Sequence, residues 1–444
     1  MGIGHMTPLH PVCSRAPSSL PRLFPVMRDF YRIRRLPPYV FEEVNKVKAK
    51  LRAQGVDVID FGMGNPDMAT APHIVDKLIE TVKKPKSHGY SVSKGVQGLR
   101  KAMAGYYDRR YGVKLNPDTE VVATLGSKEG FANLAMAITA PGDTVICPNP
   151  AYPIHAFGFL MAGGVIRHVP ALSPEQYLSG IDKAVKHSVP APSVMIVSYP
   201  SNPTAQWVDL DFYKEVIRLA EKHDLIVLSD IAYSEIYFEN NPPPSILQVD
   251  GAIKRSVEIN SLSKTYAMAG WRVGMVVGNS EICAALARVK SYLDYGGFAP
   301  IQVAAAAALN GPQDNVAEIR ATYKSRRDVL ISSMKRAGWD IPPPPASMFA
   351  WAEIPDKFKH LGSIEFAKLL IEEAHVAVAP GLGFGEYGEG YVRIGLVENE
   401  HRIRQAARNI KKLLLPDAKV EAKTEAKSAP KTEPTTEPTT VKVA

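Results

Sequence analysis

The chain reads as an α/β protein: a large domain with a mostly parallel sheet flanked by helices, followed by a smaller α/β domain. Apolar runs of strand length recur along its middle, at 120–125, 144–147, 193–198, 225–229, 256–259 and 273–277. Helical patterns separate most of them. In 211–223, for example, Phe212, Val216, Leu219 and Ala220 recur at helical spacing and lead directly into the next strand run. Such alternation is the pattern of a parallel sheet covered on both faces. Past the sheet, 313–337 reads as one long helix, and the prolines of 342–345 break the chain before strand and helix patterns resume.

Taken in order, residues 1–26 contain no acidic residue and little periodicity, so they are expected to stay outside the core as a disordered extension. A transit peptide is the competing account, and the lack of a convincing amphipathic helix weighs against it. Residues 27–64 are expected to form an N-terminal arm and a small-domain segment, 65–310 the large domain and 311–415 the small C-terminal domain. The tail, 416–444, is Ala, Lys, Glu, Pro and Thr with a repeated Thr-Glu-Pro-Thr, a composition that cannot bury enough apolar surface to order itself.

Composition narrows the function classes. Hydrophobic residues make up 45% and charged residues 22%, the balance of an ordinary globular enzyme. No run approaches the roughly 20 apolar residues of a membrane span. The formal charge of +8 is spread along the chain with no basic stripe interleaved with aromatics, so nucleic acid is not an expected partner. A transcription regulator would also need a DNA-binding module of roughly 60 residues, which the 26-residue extension cannot supply. Cys13, Cys147 and Cys283 are widely spaced, without C-x-x-C, which argues against a zinc site or disulfide framework and fits a reducing, cytoplasmic setting. No metal is expected.

The chemistry centres on Ser261-Leu262-Ser263-Lys264-Thr265-Tyr266-Ala267-Met268-Ala269-Gly270-Trp271-Arg272-Val273-Gly274. A lysine that condenses with a carbonyl cofactor needs a cramped, partly dry site, where desolvation lowers the amine's pKa. Small neighbours provide that room. Hydroxyls at Ser261 and Ser263 and the guanidinium of Arg272 suit a phosphate close by, because arginine binds phosphate oxygens bidentately. Lysine beside a phosphate cradle suggests pyridoxal 5'-phosphate. The plainer reading of Lys264 alone is a solvated loop lysine.

Gly126-Ser127-Lys128 follows a strand pattern and opens a helix, where backbone N–H groups and the macrodipole form an anion site. Ordinary N-capping by Ser127 is the alternative. Asp230 ends the run 225–229; a carboxylate there would keep the pyridine nitrogen of such a cofactor protonated, although a strand-end aspartate also suits a turn. Tyr233, three residues on, could reach the cofactor's 3-hydroxyl.

The run from Ser261 to Gly274 resembles, position by position, the lysine signature of class I and II aminotransferases of fold type I. The similarity extends from about Tyr31 to about Leu415 and looks closest to the bacterial glutamate-pyruvate (alanine) transaminases, with the diaminopimelate aminotransferases as near relatives. The resemblance tips Ser127 and Lys128 toward the phosphate. It implies that Asn202, in Tyr199-Pro200-Ser201-Asn202-Pro203-Thr204, is a second partner for the 3-hydroxyl, and that Tyr152, in Asn149-Pro150-Ala151-Tyr152-Pro153, stacks on the ring. Tyr90, in His88-Gly89-Tyr90, resembles a tyrosine reaching the phosphate from a neighbouring subunit, which implies a homodimer. Gly64 and Asn65, in Gly62-Met63-Gly64-Asn65-Pro66, look like the loop over the substrate, Tyr39 like a substrate-facing residue, and Arg393, in Tyr391-Val392-Arg393-Ile394-Gly395, like the arginine that clamps the α-carboxylate.

The implied activity is transamination, with Lys264 as general base and closure of the small domain carrying Arg393 onto the substrate. Alanine and 2-oxoglutarate, giving pyruvate and glutamate, are the expected pair. The alternatives are aminotransfer from diaminopimelate, methionine or an aromatic amino acid, or carbon–sulfur lyase or cyclopropane-carboxylate synthase chemistry on the same lysine. Tyr295-Gly296-Gly297-Phe298 departs from the asparagine that diaminopimelate enzymes offer across their interface, which weakens that branch.

Overall fold

The computed structural model describes residues 30–37 and 40–415. The expectations for Tyr39, for 1–26 and for 416–444 lie outside the described residues. The chain enters through α1 (Tyr31–Arg34), α2 (Phe41–Ala53) and β1 (Ile59–Asp60). Glu42 and Glu43 in the first turn of α2 and Lys50 and Arg52 in its last complement the helix macrodipole. An ion pair from Glu43 to Lys368 at 2.9 Å fastens this helix to the far end of the chain.

Two helices, α3 (Pro72–Val82) and α4 (Gln97–Tyr111), precede the main sheet. Its strands are β2 (Val121–Thr124), β3 (Thr144–Asn149), β4 (Val165–Pro170), β5 (Pro192–Ser198), β6 (Ile226–Asp230), β7 (Ser256–Ser261) and β8 (Gly274–Gly278), in the order β2-β8-β7-β6-β5-β3-β4. Pairing is parallel from β4 across to β7; only β8 runs antiparallel to its neighbours β7 and β2. The intervening helices are α5 (Ser127–Ile138), α6 (Pro153–Ala162), α7 (Pro174–Lys186), α8 (Leu210–His223), α9 (Leu262–Thr265), α10 (Ser280–Leu293) and α11 (Ala299–Asn310).

Strand periodicity divides the core in two. Val145, Val194, Ile196, Leu228 and Ile259 face Phe131 and Phe159 on one side of the sheet. Their alternates Ile146, Met195, Val197 and Val227 face Tyr107, Tyr177 and Tyr213 on the other. Six of the seven strands match the apolar runs of the sequence. The seventh, β4, is an edge strand in which Val165 is exposed and Arg167 and His168 interrupt the apolar pattern, so no buried run announces it. The chain passes from β3 out to β4 and returns to β5 on β3's other side. This reversal leaves a crevice at the carboxyl ends of the strands, where ligands bind in open α/β sheets.

Beyond the sheet, α12 (Asp314–Arg336) leads to β9 (Phe349–Glu353), α13 (Gly362–Ala374), β10 (Val376–Ala377), β11 (Ala379–Pro380), β12 (Tyr391–Gly395) and α14 (Glu400–Leu414). An antiparallel sheet β11-β12-β9 and the parallel pair β1-β10 share a separate core, with Phe61, Tyr323, Trp339, Phe366 and Ile410. Pairing of Ile59 with Val376 thus joins the first strand of the chain to this smaller body. Among the described residues, no helix is long and apolar enough to cross a membrane.

Candidate active site

A cavity of about 470 Å³ opens at the carboxyl edge of the main sheet, between it and the smaller body. Lys264 reaches into it from α9. Ser261, the last residue of β7, caps that short helix by accepting from Ser263 N–H at 3.2 Å, so the lysine leaves the strand in a fixed direction. Its Nζ donates to Gly64 O at 2.8 Å, across 200 residues of sequence. Burial, and then the positive charges of Arg393 and Arg272, lower its pKa from the usual lysine range to about 8. At pH 7 about one amine in ten is then unprotonated, against fewer than about one in a thousand for an ordinary lysine. A solvated loop lysine would show none of this.

One end of the cavity is cationic. Gly126 ends the turn after β2 at φ +85°, and a Cβ there would run into the guanidinium of Arg272. That guanidinium is oriented by Ala269 O at 2.9 Å and Leu125 O at 3.2 Å. Gly126, not Ser127, is the N-cap of α5, and it makes no side-chain cap. Ser127 is therefore the first helical residue, its hydroxyl is not consumed in capping, and the first-turn N–H groups lack helical acceptors. At Gly274, β8 passes so close that a Cβ would lie 2.6 Å from Ser127 N. Glu129 accepts from Leu125 N–H at 2.8 Å and is paired with the buried Lys290 at 2.9 Å, which fixes the turn from behind.

The other polar features lie along the switch crevice. Asp230 closes β6; one of its oxygens accepts from Ala232 N–H at 3.0 Å and the other pairs with His155 Nε2 at 2.9 Å. Both the turn and an aspartate aimed into the cavity are thus present. Burial raises the phenol of Tyr233 well above its usual range, so it stays protonated. Asn202 bridges two partners, with Nδ2 3.4 Å from Tyr233 Oη and Oδ1 accepting from Arg393 Nη1 at 2.7 Å. Arg393 also donates to Gly62 O at 3.1 Å, and its guanidinium carbon lies 4.0 Å from the ring centre of Phe349 and 4.6 Å from that of Phe384. It is only 7% exposed, unlike an arginine on a surface strand. At Gly64 a Cβ would press within 2.7 Å of Phe349.

Tyr152 and Asn65 also line the cavity, and Lys128 Nζ lies 5.8 Å from the centre of the Tyr152 ring. Tyr90 does not line it. It is 90% exposed and packs on Tyr295, ring centres 4.8 Å apart. His155 behind Asp230, and Phe349 and Phe384 around Arg393, were not singled out by the sequence. Each is an unremarkable residue of an apolar stretch, and only tertiary contact gives it a role. Among the described residues no group of side chains is arranged to hold a metal ion.

The donor set fits a flat molecule with a phosphate at one end and a basic ring nitrogen at the other. Arg272, the serine hydroxyls and a helix start supply cationic and N–H donors, Asp230 supplies a carboxylate, and Tyr152 an aromatic face.

A model of the family described as "Aminotransferase class I and II" matches residues 56–410. The chain is 65% identical over 388 residues to "Putative aminotransferase AatC" of Rhizobium meliloti (strain 1021), covering 87% of this chain and 96% of that protein. It is 50% identical over 390 residues to "Glutamate-pyruvate aminotransferase AlaC" of Escherichia coli (strain K12), covering 88% and 95%. The solved structure of substrate-bound BacF from Bacillus subtilis superposes with a TM-score of 0.83 at 34% identity, over 88% of this chain and 99% of that one.

Proposed function

The chain belongs to the class I and II aminotransferases, and from that membership we propose which amino group it moves and which residues move it. It is a pyridoxal-phosphate-dependent aminotransferase. The reaction we assign is alanine with 2-oxoglutarate, giving pyruvate and glutamate. The similarity to the glutamate-pyruvate enzyme supports this pair. The observation that carries the chemistry is Lys264: an amine buried in the cavity, held at a pKa of about 8 and facing both Arg393 and Arg272.

Ser127, Lys128, Ser261, Ser263 and Arg272 would hold the phosphate, and Lys264 the aldehyde carbon. Tyr152 would lie against the ring, Asn202 and Tyr233 would donate to its hydroxyl, and Asp230 would face its nitrogen. When bound, pyridoxal phosphate supplies a ring that delocalises the negative charge left when an α proton departs. Asp230 would set its carboxylate opposite the ring nitrogen, and His155 holds that carboxylate in place. Arg393 clamps the substrate α-carboxylate with its planar fork, releasing Asn202 Oδ1 or Gly62 O to do so. Gly64 and Asn65 would lie over the substrate, and the missing side chain of Gly64 lets Phe349 pack against that loop. Lys264 Nζ would take the α proton from the substrate as general base and give a proton back as general acid, a transfer suited to an amine with a pKa of about 8. Phe349 and Phe384 exclude water from the Arg393 clamp.

The working unit we assign is a homodimer in which Tyr90 completes the partner's phosphate cup, supported by its exposure beside the exposed Tyr295 and Phe298. A cytoplasmic setting is supported by the free, buried thiols of Cys147 and Cys283. The test is to mix holoenzyme with single amino acids and follow the visible absorbance of the bound cofactor. Alanine and glutamate should each discharge it; discharge by diaminopimelate or methionine but not by alanine would overturn the substrate assignment.

A further inference from the structure

The loop of Gly64 and Asn65 belongs to a longer strap, 62–70, along which the chain leaves β1 in the smaller body and enters α3 beside the main sheet. We propose that Arg326, on α12 and outside the cavity lining, is the positioning residue that holds this strap to the smaller body while Lys264 and Arg393 are occupied with substrate and cofactor. This inference rests on the reading of Arg393 as the α-carboxylate clamp and names what keeps that clamp assembled.

Side chains fasten the strap alternately to the two bodies. Gly62 O accepts from Arg393 Nη2 at 3.1 Å, and Gly64 O from Lys264 Nζ at 2.8 Å. Asp67 then takes both arms of Arg326, Oδ1 from Nη1 and Oδ2 from Nη2, each at 2.7 Å. Thr70 Oγ1 donates to Ala267 O at 2.9 Å, three positions past Lys264. A bidentate fork fixes orientation as well as distance, which a single contact cannot.

Arg326 holds a second segment too. Its Nη1 also donates at 3.1 Å to Leu396 O, which follows β12 directly, three positions after Arg393. One buried guanidinium therefore ties Asp67, three positions after Gly64, to the end of the strand that carries the clamp. Helix α12 contributes Ile319, Tyr323, Leu330 and Met334 to the core of the smaller body, so Arg326 moves with that body.

Turnover borrows the other two cationic fastenings. Lys264 Nζ gives up Gly64 O when it turns to the cofactor or to the α proton, and Arg393 can give up Gly62 O when it takes the α-carboxylate. Arg326 is not called away. Without it, strap and clamp would be assembled only part of the time, and substrate affinity would fall by that fraction. The side chains assigned to the phosphate stand on turns after β2 and β7, which the strap does not carry, so cofactor affinity would not follow.

The test uses holoenzyme carrying Asp67→Asn, Arg326→Met or Arg326→Lys, assayed with alanine and with glutamate. The Asp67 side chain is 39% exposed, and its loss leaves the guanidinium seated on Leu396 O, so Asp67→Asn should fold and decides the matter if Arg326→Met does not. Asp67→Asn should raise KM about threefold or more, and Arg326→Met about tenfold or more. The factor should be the same for both amino acids, because both present the same α-carboxylate. The change in kcat should be smaller, and the cofactor dissociation constant should stay within about twofold. Arg326→Lys should recover part of the lost affinity, and the effects of Asp67→Asn and Arg326→Met should not add in the double variant. A lowered melting temperature with unchanged KM, a KM raised for one amino acid alone, or cofactor affinity lost in step with KM would overturn the proposal. Arg393→Lys, run alongside, separates the two readings. If it too leaves KM intact, the clamp assignment fails; if it raises KM while Asp67→Asn and Arg326→Met do not, the role of Arg326 alone fails.

Discussion

At the end of the cavity that we assign to the phosphate, Gly126, Ser127, Ser261, Ser263 and Arg272 come from two short stretches, one after β2 and one between β7 and β8, and their backbone fixes them. At the end that we assign to the substrate carboxylate, Gly62, Asn202 and Arg393 arrive from three separate segments, Gly62 and Arg393 being 331 positions apart. The first end is set by turns and strand register, so it can exist before any ligand binds. The second is set by packing of the smaller body against the sheet, so it can tighten or open as that body moves. Cofactor affinity and substrate affinity should therefore respond to different substitutions.

The largest effect is expected where the two ends meet. Lys264→Ala should bind cofactor yet lose about 10⁴-fold or more in turnover, measured as the half-reaction with alanine. Appreciable residual transamination would break the division of labour at its centre. Next in size, Arg393→Lys should lose about 10²-fold or more in kcat/KM, because one ammonium cannot replace a bidentate fork, with the cofactor dissociation constant nearly unchanged. Gly126→Ala should do the reverse. Its Cβ meets the Arg272 guanidinium at a positive φ, so cofactor should bind about tenfold or more weakly while the KM for alanine in saturating cofactor changes little.

A smaller effect sharpens the coupling between the ends. Below pH 8 the Lys264 amine of the apo-protein is mostly protonated and cannot attack an aldehyde, so the rate of cofactor uptake should rise about tenfold per pH unit and level off above about 8. Arg393 is one of the charges that depress this pKa. In Arg393→Met the midpoint should therefore move upward, measured by stopped-flow absorbance across pH; a downward shift would contradict the electrostatic role given to the clamp.

The same contrast explains what could be read before the fold was known. The cationic end was legible because its chemistry is local: a lysine, two serines and an arginine within twelve residues, and a Gly-Ser pair at a strand–helix turn. Arg393 and Asn202 were reached only through resemblance, since nothing in Tyr391-Val392-Arg393-Ile394-Gly395 says that the arginine is buried between two phenylalanines. His155, Phe349 and Phe384 were not reached at all. The partner of His155, Asp230, lies 75 residues away, and a histidine in an apolar helix has no distinguishing spacing. The main sheet was legible where its strands are buried on both faces, and illegible at β4, where edge exposure mixes polar and apolar residues.

The identity of the reacting amine can be tested directly by reducing the holoenzyme with borohydride, digesting it and locating the modified residue by mass spectrometry. A phosphopyridoxyl group on Nζ of Lys264, and on no other lysine in stoichiometric amount, is the expected result. The same group on Lys128 or on any other lysine, or no stable adduct, would contradict the site as assigned.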